Sequence, residues 1–134
     1  MATVRKEFTI ARPPTAVWAA FADVGAVHTK LARGFVTDTK LEEGARLVTF
    51  ANGMVAKELI ITVDPEARRL VYAVVDSPGL VHHSASFQVL ADEGGSRVVW
   101  VADMAPDTVA ESIGGMMEAG VQAMRRTLAE AAAA

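Results

Sequence analysis

The sequence has no cysteine, few aromatic residues, no surplus of positive charge and no long uncharged apolar run. Without cysteine there is no disulfide framework, no thiolate metal site and no cysteine nucleophile, which suits a chain that folds in a reducing compartment. Lysine and arginine number 13 against 16 aspartates and glutamates, for a net charge of -3 and a pI near 5.6. That balance lacks the basic face needed to track phosphates, so nucleic acid is not an expected partner. Nowhere do about 18 uncharged apolar residues run together, which excludes a helical membrane span. Met1 leads into Ala-Thr-Val-Arg-Lys-Glu-Phe-Thr-Ile, where an export signal would need a continuous apolar stretch of about 7 to 15 residues. The expected location is cytoplasmic.

What the chain does have is apolar mass: 51% of 134 residues, including six methionines, two tryptophans, one tyrosine and five phenylalanines. The length suits one domain, residues 1–134, and the apolar content is far too high for disorder. With no membrane to face, that surplus belongs inside, in a core that is either dense or hollow.

Periodicity divides the chain. Residues 3–10 alternate loosely and stop at Pro13-Pro14, which a strand interior would not tolerate. Proline suits a first helical turn, and Val17, Trp18, Phe21 and Val24 recur at helical spacing, predicting a helix over 13–23. A second short helical piece is expected over 26–33, ended by Gly34. From there the rhythm is that of an antiparallel meander, with strands at 35–41, 45–51, 54–64, 69–76, 82–90 and 96–104. Asn52-Gly53 between two apolar runs is the strongest hairpin signal. After Pro106, Asp107 can cap a helix over 107–131, with Glu111 near its start and Arg125 and Arg126 near its end, matching the macrodipole. Gly114, Gly115 and Gly120 cost that helix roughly 1 kcal/mol each relative to alanine, so close packing or bending must account for them.

One strand, two short helices, six strands and one long helix make an α+β chain whose sheet has one face to cover and whose last helix alone is long enough to cover it. The order resembles the SRPBCC or START-like group, which includes polyketide cyclase and dehydrase-like proteins. The resemblance rests on Ile10-Ala-Arg-Pro-Pro-Thr-Ala-Val-Trp18, Phe21-Ala-Asp-Val24, the Asn52-Gly53 hairpin, Asp64-Pro65 with Arg69-Leu-Val-Tyr72, Ser96-Arg-Val-Val-Trp100 and the terminal helix. It implies a helix-grip fold: a seven-stranded curved antiparallel sheet wrapped around the C-terminal helix, with two short helices after strand 1 and a hydrophobic cavity between sheet and helix.

Alternation then assigns the inward side chains. Val98, Trp100, Ala102 and Met104 face in on one strand, His83, Ala85, Phe87 and Val89 on another, and Leu70, Tyr72 and Val74 on a third. The strand over 54–64 has two competing faces. Pattern favours Val55, Lys57, Leu59, Ile61 and Val63 inward, whereas the family resemblance implies a carboxylate toward the cavity at Glu58, with Ala56 and Ile60 beside it. Glu58 is expected inward. Glu58, Tyr72 and His83 would then share an apolar chamber, where they could transfer protons, orient the polar end of a ligand, or satisfy one another. His82 and His83 point to opposite faces of a strand, so no metal site is expected. Neither Gly-x-Ser-x-Gly nor a glycine-rich phosphate loop is present, and no cofactor is expected. His28 is expected to face solvent.

Met116 and Met117, with Met104 before the helix and Val121 one turn on, offer adaptable apolar surface. The leading expectation is a domain that encloses a small hydrophobic or aromatic, lipid-like or polyketide-like molecule. Trp100, Phe87, Ile60, Val74, Met104, Met116, Met117 and Val121 would form the wall, with Glu58 and His83 orienting a polar group. The resemblance also admits a cyclase, dehydrase or isomerase, with Glu58 and His83 as acid and base and Tyr72 as an oxyanion donor. A third reading is protein interaction, as in chaperone-activating relatives of the group or a homodimer through an exposed sheet edge.

Overall fold

The computed structural model describes residues 1–133. Seven strands form one antiparallel sheet: β1 (Ala2–Ile10), β2 (Val36–Glu42), β3 (Ala45–Phe50), β4 (Val55–Asp64), β5 (Arg69–Val75), β6 (His82–Asp92) and β7 (Gly95–Ala105). Their order in space is β1-β7-β6-β5-β4-β3-β2, so β2 to β7 form a meander and β1 closes it by pairing with β7. Between β1 and β2 the chain crosses from one sheet edge to the other through helix α1 (Pro14–Ala22) and a π-helical turn, Val27–Leu31. A 3-10 turn, Asp107–Val109, leads into α2 (Ala110–Ala133), which lies in the grip of the curved sheet. This is the helix-grip fold.

Proline at the start of α1 supplies a preset φ where no helical N–H partner is needed, and Val17, Trp18 and Phe21 bury the face that closes one end of the sheet. The second short helix is smaller than its pattern suggests, a single π turn in which Ala32 N–H reaches back five residues to Val27 C=O. In α2, Met117, Val121, Met124 and Leu128 are buried along one stripe. Of its three glycines only Gly120 is forced by contact: a Cβ there would lie 3.1 Å from the Trp100 ring and 3.3 Å from Phe35. Gly115 faces open space, and a Cβ on Gly114 would make ordinary contact with Val4 at 3.7 Å.

Two irregularities decide which residues the sheet turns inward. Between the hydrogen-bonded Phe50 and Met54 the β3–β4 loop turns in three residues, Ala51, Asn52 and Gly53, closed by Phe50 N–H to Met54 C=O and Gly53 N–H to Phe50 C=O, with Gly53 in the left-handed region at φ 89°. A two-residue turn at Asn52-Gly53 would have set Arg46 opposite Leu59. The longer loop moves the pairing by one residue and sets Arg46 opposite Glu58. Farther along β4 the register shifts between Ile60 and Thr62, leaving Ile61 as the extra residue of a bulge. Ala56, Glu58 and Ile60 therefore share the concave face, while Val55 and Ile61 are 59% and 57% exposed. The simple alternation that favours Val55, Lys57, Leu59, Ile61 and Val63 inward fails already before the bulge, where Glu58 pairs with Arg46 and Val74 and Ile60 pairs with Tyr72, and the bulge then breaks its phase beyond Ile60.

Candidate functional site

Between the concave face and α2 lies a cavity of about 320 Å³. Its floor is aromatic. Phe87 stacks on Trp100 with ring centroids 4.6 Å apart and on Tyr72 at 5.9 Å, and leans on Phe21 of α1 at 4.8 Å. Phe87 and Trp100 are directly opposed on β6 and β7, and Tyr72 on β5, opposite Ala85, reaches Phe87 on the diagonal. Its roof is α2, which contributes Ile113, Met116, Met117 and Met124, and the π turn contributes Val27 and Leu31. The mouth lies where the β3–β4 loop, the segment Ser77–Leu80 and the first turn of α2 meet.

Buried polar side chains, Arg46, Glu58, Tyr72 and His83, line this apolar space, with Ser77 and Ser112 nearer solvent. Trp100 Nε1–H donates to Tyr72 Oη at 3.1 Å, so the Tyr72 hydroxyl hydrogen points elsewhere. Burial and the nearby Glu58 charge push the Tyr72 pKa up, which keeps it a phenol. Arg46 Nε–H donates to Glu58 Oε1 at 2.8 Å, with side-chain exposures of 4% and 10%. The guanidinium also donates through Nη1 to Val24 C=O at 3.3 Å and lies 5.6 Å over the Tyr72 ring, a cation–π contact that ties the turn after α1 to the site. Burial pushes the Glu58 carboxyl above the usual carboxylate range, against the opposing charge and hydrogen bond of Arg46. It remains ionised at neutral pH, because arginine does not lose its proton and a neutral Glu58 would leave that cation buried without a counter-charge. His83 is 8% exposed, its ring 6.3 Å from that of Tyr72, and its Nδ1 is buried with no hydrogen-bond partner. Burial lowers its pKa, so the imidazole is neutral.

The structure thus brings Glu58, Tyr72, His83, Phe87, Trp100, Val74, Met116 and Met117 to one cavity. Three residues assigned to its wall on sequence lie elsewhere. Ile60 sits beyond the Glu58 position from the mouth, half-buried against the core at the bulge. Met104 is fully buried on β7, paired with Ala2 of β1, and is not among the residues that line the cavity. Val121 is buried on α2 one turn beyond Met117, but it is not among the residues that line the cavity. His28 is half-buried outside the cavity, its Nδ1 3.0 Å from Thr39 Oγ1. Arg46, the residue that most changes the chemistry, was missed. Its signal was an arginine in an otherwise apolar strand segment, Ala45-Arg-Leu-Val48, and finding it required the true length of the hairpin loop. Among the described residues no three histidines, aspartates or glutamates gather as metal ligands.

A protein of this architecture is XoxI of Bacillus cereus, 19% identical, with a TM-score of 0.84 over 96% of each chain. The norcoclaurine synthase of Thalictrum flavum, solved as a point mutant with a transition-state analogue, is 20% identical with a TM-score of 0.69 over 96% of this chain and 94% of that one. The di-domain aromatase/cyclase BexL is 13% identical with a TM-score of 0.79; the match covers 96% of this chain and 46% of BexL, about one of its two domains. These likenesses are of fold. No curated protein sequence matches. The family model described as "Polyketide cyclase / dehydrase and lipid transport" matches residues 1–134, end to end, and the chain belongs to that family.

Proposed function

We propose that this protein binds a small, mainly apolar molecule in the chamber between the sheet and α2. The observation that carries the reading is the cavity itself. A fold of this size normally closes its core to crystal-like density, yet here aromatic and methionine side chains surround about 320 Å³ of space. That volume is at the small end for ligand sites, and a few polar groups in an apolar wall are the usual composition of such sites. Family and fold agree with a hydrophobic ligand-binding or cyclase-like role.

Mixing the purified protein with a panel of one- to three-ring apolar molecules and recording native mass spectra tests this. A 1:1 complex with at least one member is expected in the unaltered chain. Met116→Trp, which puts a larger ring into the roof, should abolish it while the circular dichroism stays unchanged. No complex across the panel would contradict the proposal.

One observation favours chemistry in addition to binding. The neutral His83 imidazole, with an unpartnered Nδ1, has its ring 6.3 Å from that of Tyr72, whose hydroxyl hydrogen is free to meet a carbonyl oxygen. That arrangement supports proton abstraction by His83 and stabilisation of the resulting enolate by Tyr72. Glu58, already engaged by Arg46, is a poorer base than its burial alone would suggest. Loss of turnover on an aldol-type or dehydration substrate in His83→Gln, with binding retained, would distinguish this from binding alone.

A further inference from the structure

We propose that the chamber selects electroneutral ligands and rejects anions of the same shape, because its two fixed charges, Arg46 and Glu58, already cancel each other. This rests on the ligand-binding reading above.

The lining residues include one formal cation and one formal anion, Arg46 and Glu58. They are joined at 2.8 Å and almost completely removed from solvent. A carboxylate or sulfonate entering the chamber therefore finds no unpaired cation. It can recruit Arg46 only by leaving Glu58 buried without its partner, which exchanges one unpaired anion for another. Arg46 is also held in place by its second donation, to Val24 C=O, and by the Tyr72 ring beneath it. His83 offers no positive charge either, since burial keeps it neutral. The other source of positive potential, the start of α2 at the mouth, carries Asp107 in the preceding turn and Glu111 in its first turn, which offset the helix dipole.

What remains available is hydrogen bonding without charge. The Tyr72 hydroxyl is turned by the Trp100 donation so that it can serve an acceptor. His83 Nδ1 is a buried polar atom without a partner. Between them and the stacked Phe87 and Trp100 rings, the fitting ligand is a flat, uncharged molecule carrying a ketone, phenol or amide oxygen. An ionised fatty acid or aromatic acid meets the same walls but must bury its charge uncompensated.

The test is a pair of near-isosteres, 2-acetylnaphthalene and 2-naphthoate, titrated calorimetrically into the unaltered protein at pH 7.5. The ketone is expected to bind at least about tenfold more tightly than the carboxylate. Glu58→Gln leaves Arg46 unpaired and should reverse the order. In the double variant Arg46→Met/Glu58→Gln, which removes both charges together, the preference for the ketone should persist. Naphthoate binding as tightly as the ketone, or more tightly, in the unaltered chain overturns the inference while the ligand-binding reading stands. Binding of neither also overturns the inference, since the flat neutral ketone is the ligand it predicts, whereas the ligand-binding reading falls only with the whole panel. The comparison in the unaltered chain decides the matter even if a variant does not fold.

Discussion

Arg46 and Glu58 are direct cross-strand partners on β3 and β4, joined Nε to Oε1 at 2.8 Å inside a cavity whose other walls are almost wholly apolar. The pairing is a consequence of register. One residue more or fewer in the β3–β4 loop would turn one of the two partners to the convex face and leave the other alone. The same pair links the site to the α1 region through Val24, so the polar centre of the cavity also ties the sheet to the segment that crosses it.

Removing one partner is expected to cost far more than removing both. Arg46→Met should destabilise the fold by about 3–5 kcal/mol, with Arg46→Met/Glu58→Gln recovering much of that loss in urea denaturation. Without Arg46 only the burial effect acts on Glu58, so its folded pKa rises further above the ordinary 4.5. A carboxyl with a raised folded pKa holds its proton more firmly folded than unfolded. Its favourable contribution is therefore complete below pH 4.5 and lost as pH rises through the folded value. Arg46→Met should accordingly be most stable in mild acid and lose ground toward neutrality; a flat stability profile across that range would contradict the assignment.

His83 should give the opposite slope. Its folded pKa lies below 6.5 because of burial, so the stability it contributes is present above pH 6.5 and is lost as pH falls through the folded value. Urea midpoints between pH 7.5 and 5 should decline less in His83→Phe than in the unaltered chain. In an NMR titration the His83 ring should titrate below 6.5, its charged form opposed first by burial and then by the neighbouring His82.

The glycines of α2 separate packing from propensity. Gly115→Ala meets nothing within 4 Å and should stabilise the protein by about 1 kcal/mol, the ordinary helix-propensity gain. Gly120→Ala gains the same propensity but pushes against Trp100 and Phe35 at 3.1 and 3.3 Å. Trp100 is held by Phe87 and by its bond to Tyr72, so it has little room to yield. Gly120→Ala should therefore show no net gain in thermal denaturation and a shifted tryptophan emission. An increase equal to that of Gly115→Ala would show that the contact is not tight.

Most of the architecture was legible because period-2 and period-3.6 signals are strong in long elements. Tyr72, His83, Phe87 and Trp100 were turned inward by alternation alone, and the structure places all four on the concave side. Two features escaped. The hairpin loop differs from the two-residue turn by one residue, and that difference decides whether Arg46 meets Glu58 or Leu59. The bulge at Ile60–Thr62 inverts the phase of β4 halfway along, so no single alternation describes the strand. Wall membership was the other weak point: Met104 and Val121 are inward residues, but whether an inward residue reaches a cavity depends on what covers it, which no periodicity encodes.

The six methionines provide the most direct test of ligand binding in this chamber, because they divide by position. Met54, Met116, Met117 and Met124 line the cavity, whereas Met104 is buried outside it and Met1 is exposed on β1's side of the sheet. In a methionine-methyl NMR titration with 2-acetylnaphthalene, the signals of Met116, Met117 and Met124 should move most, Met54 less, and those of Met104 and Met1 very little, saturating at one equivalent. Shifts confined to Met1 and Met54, or no saturable shift in any methyl, would contradict binding between the sheet and α2.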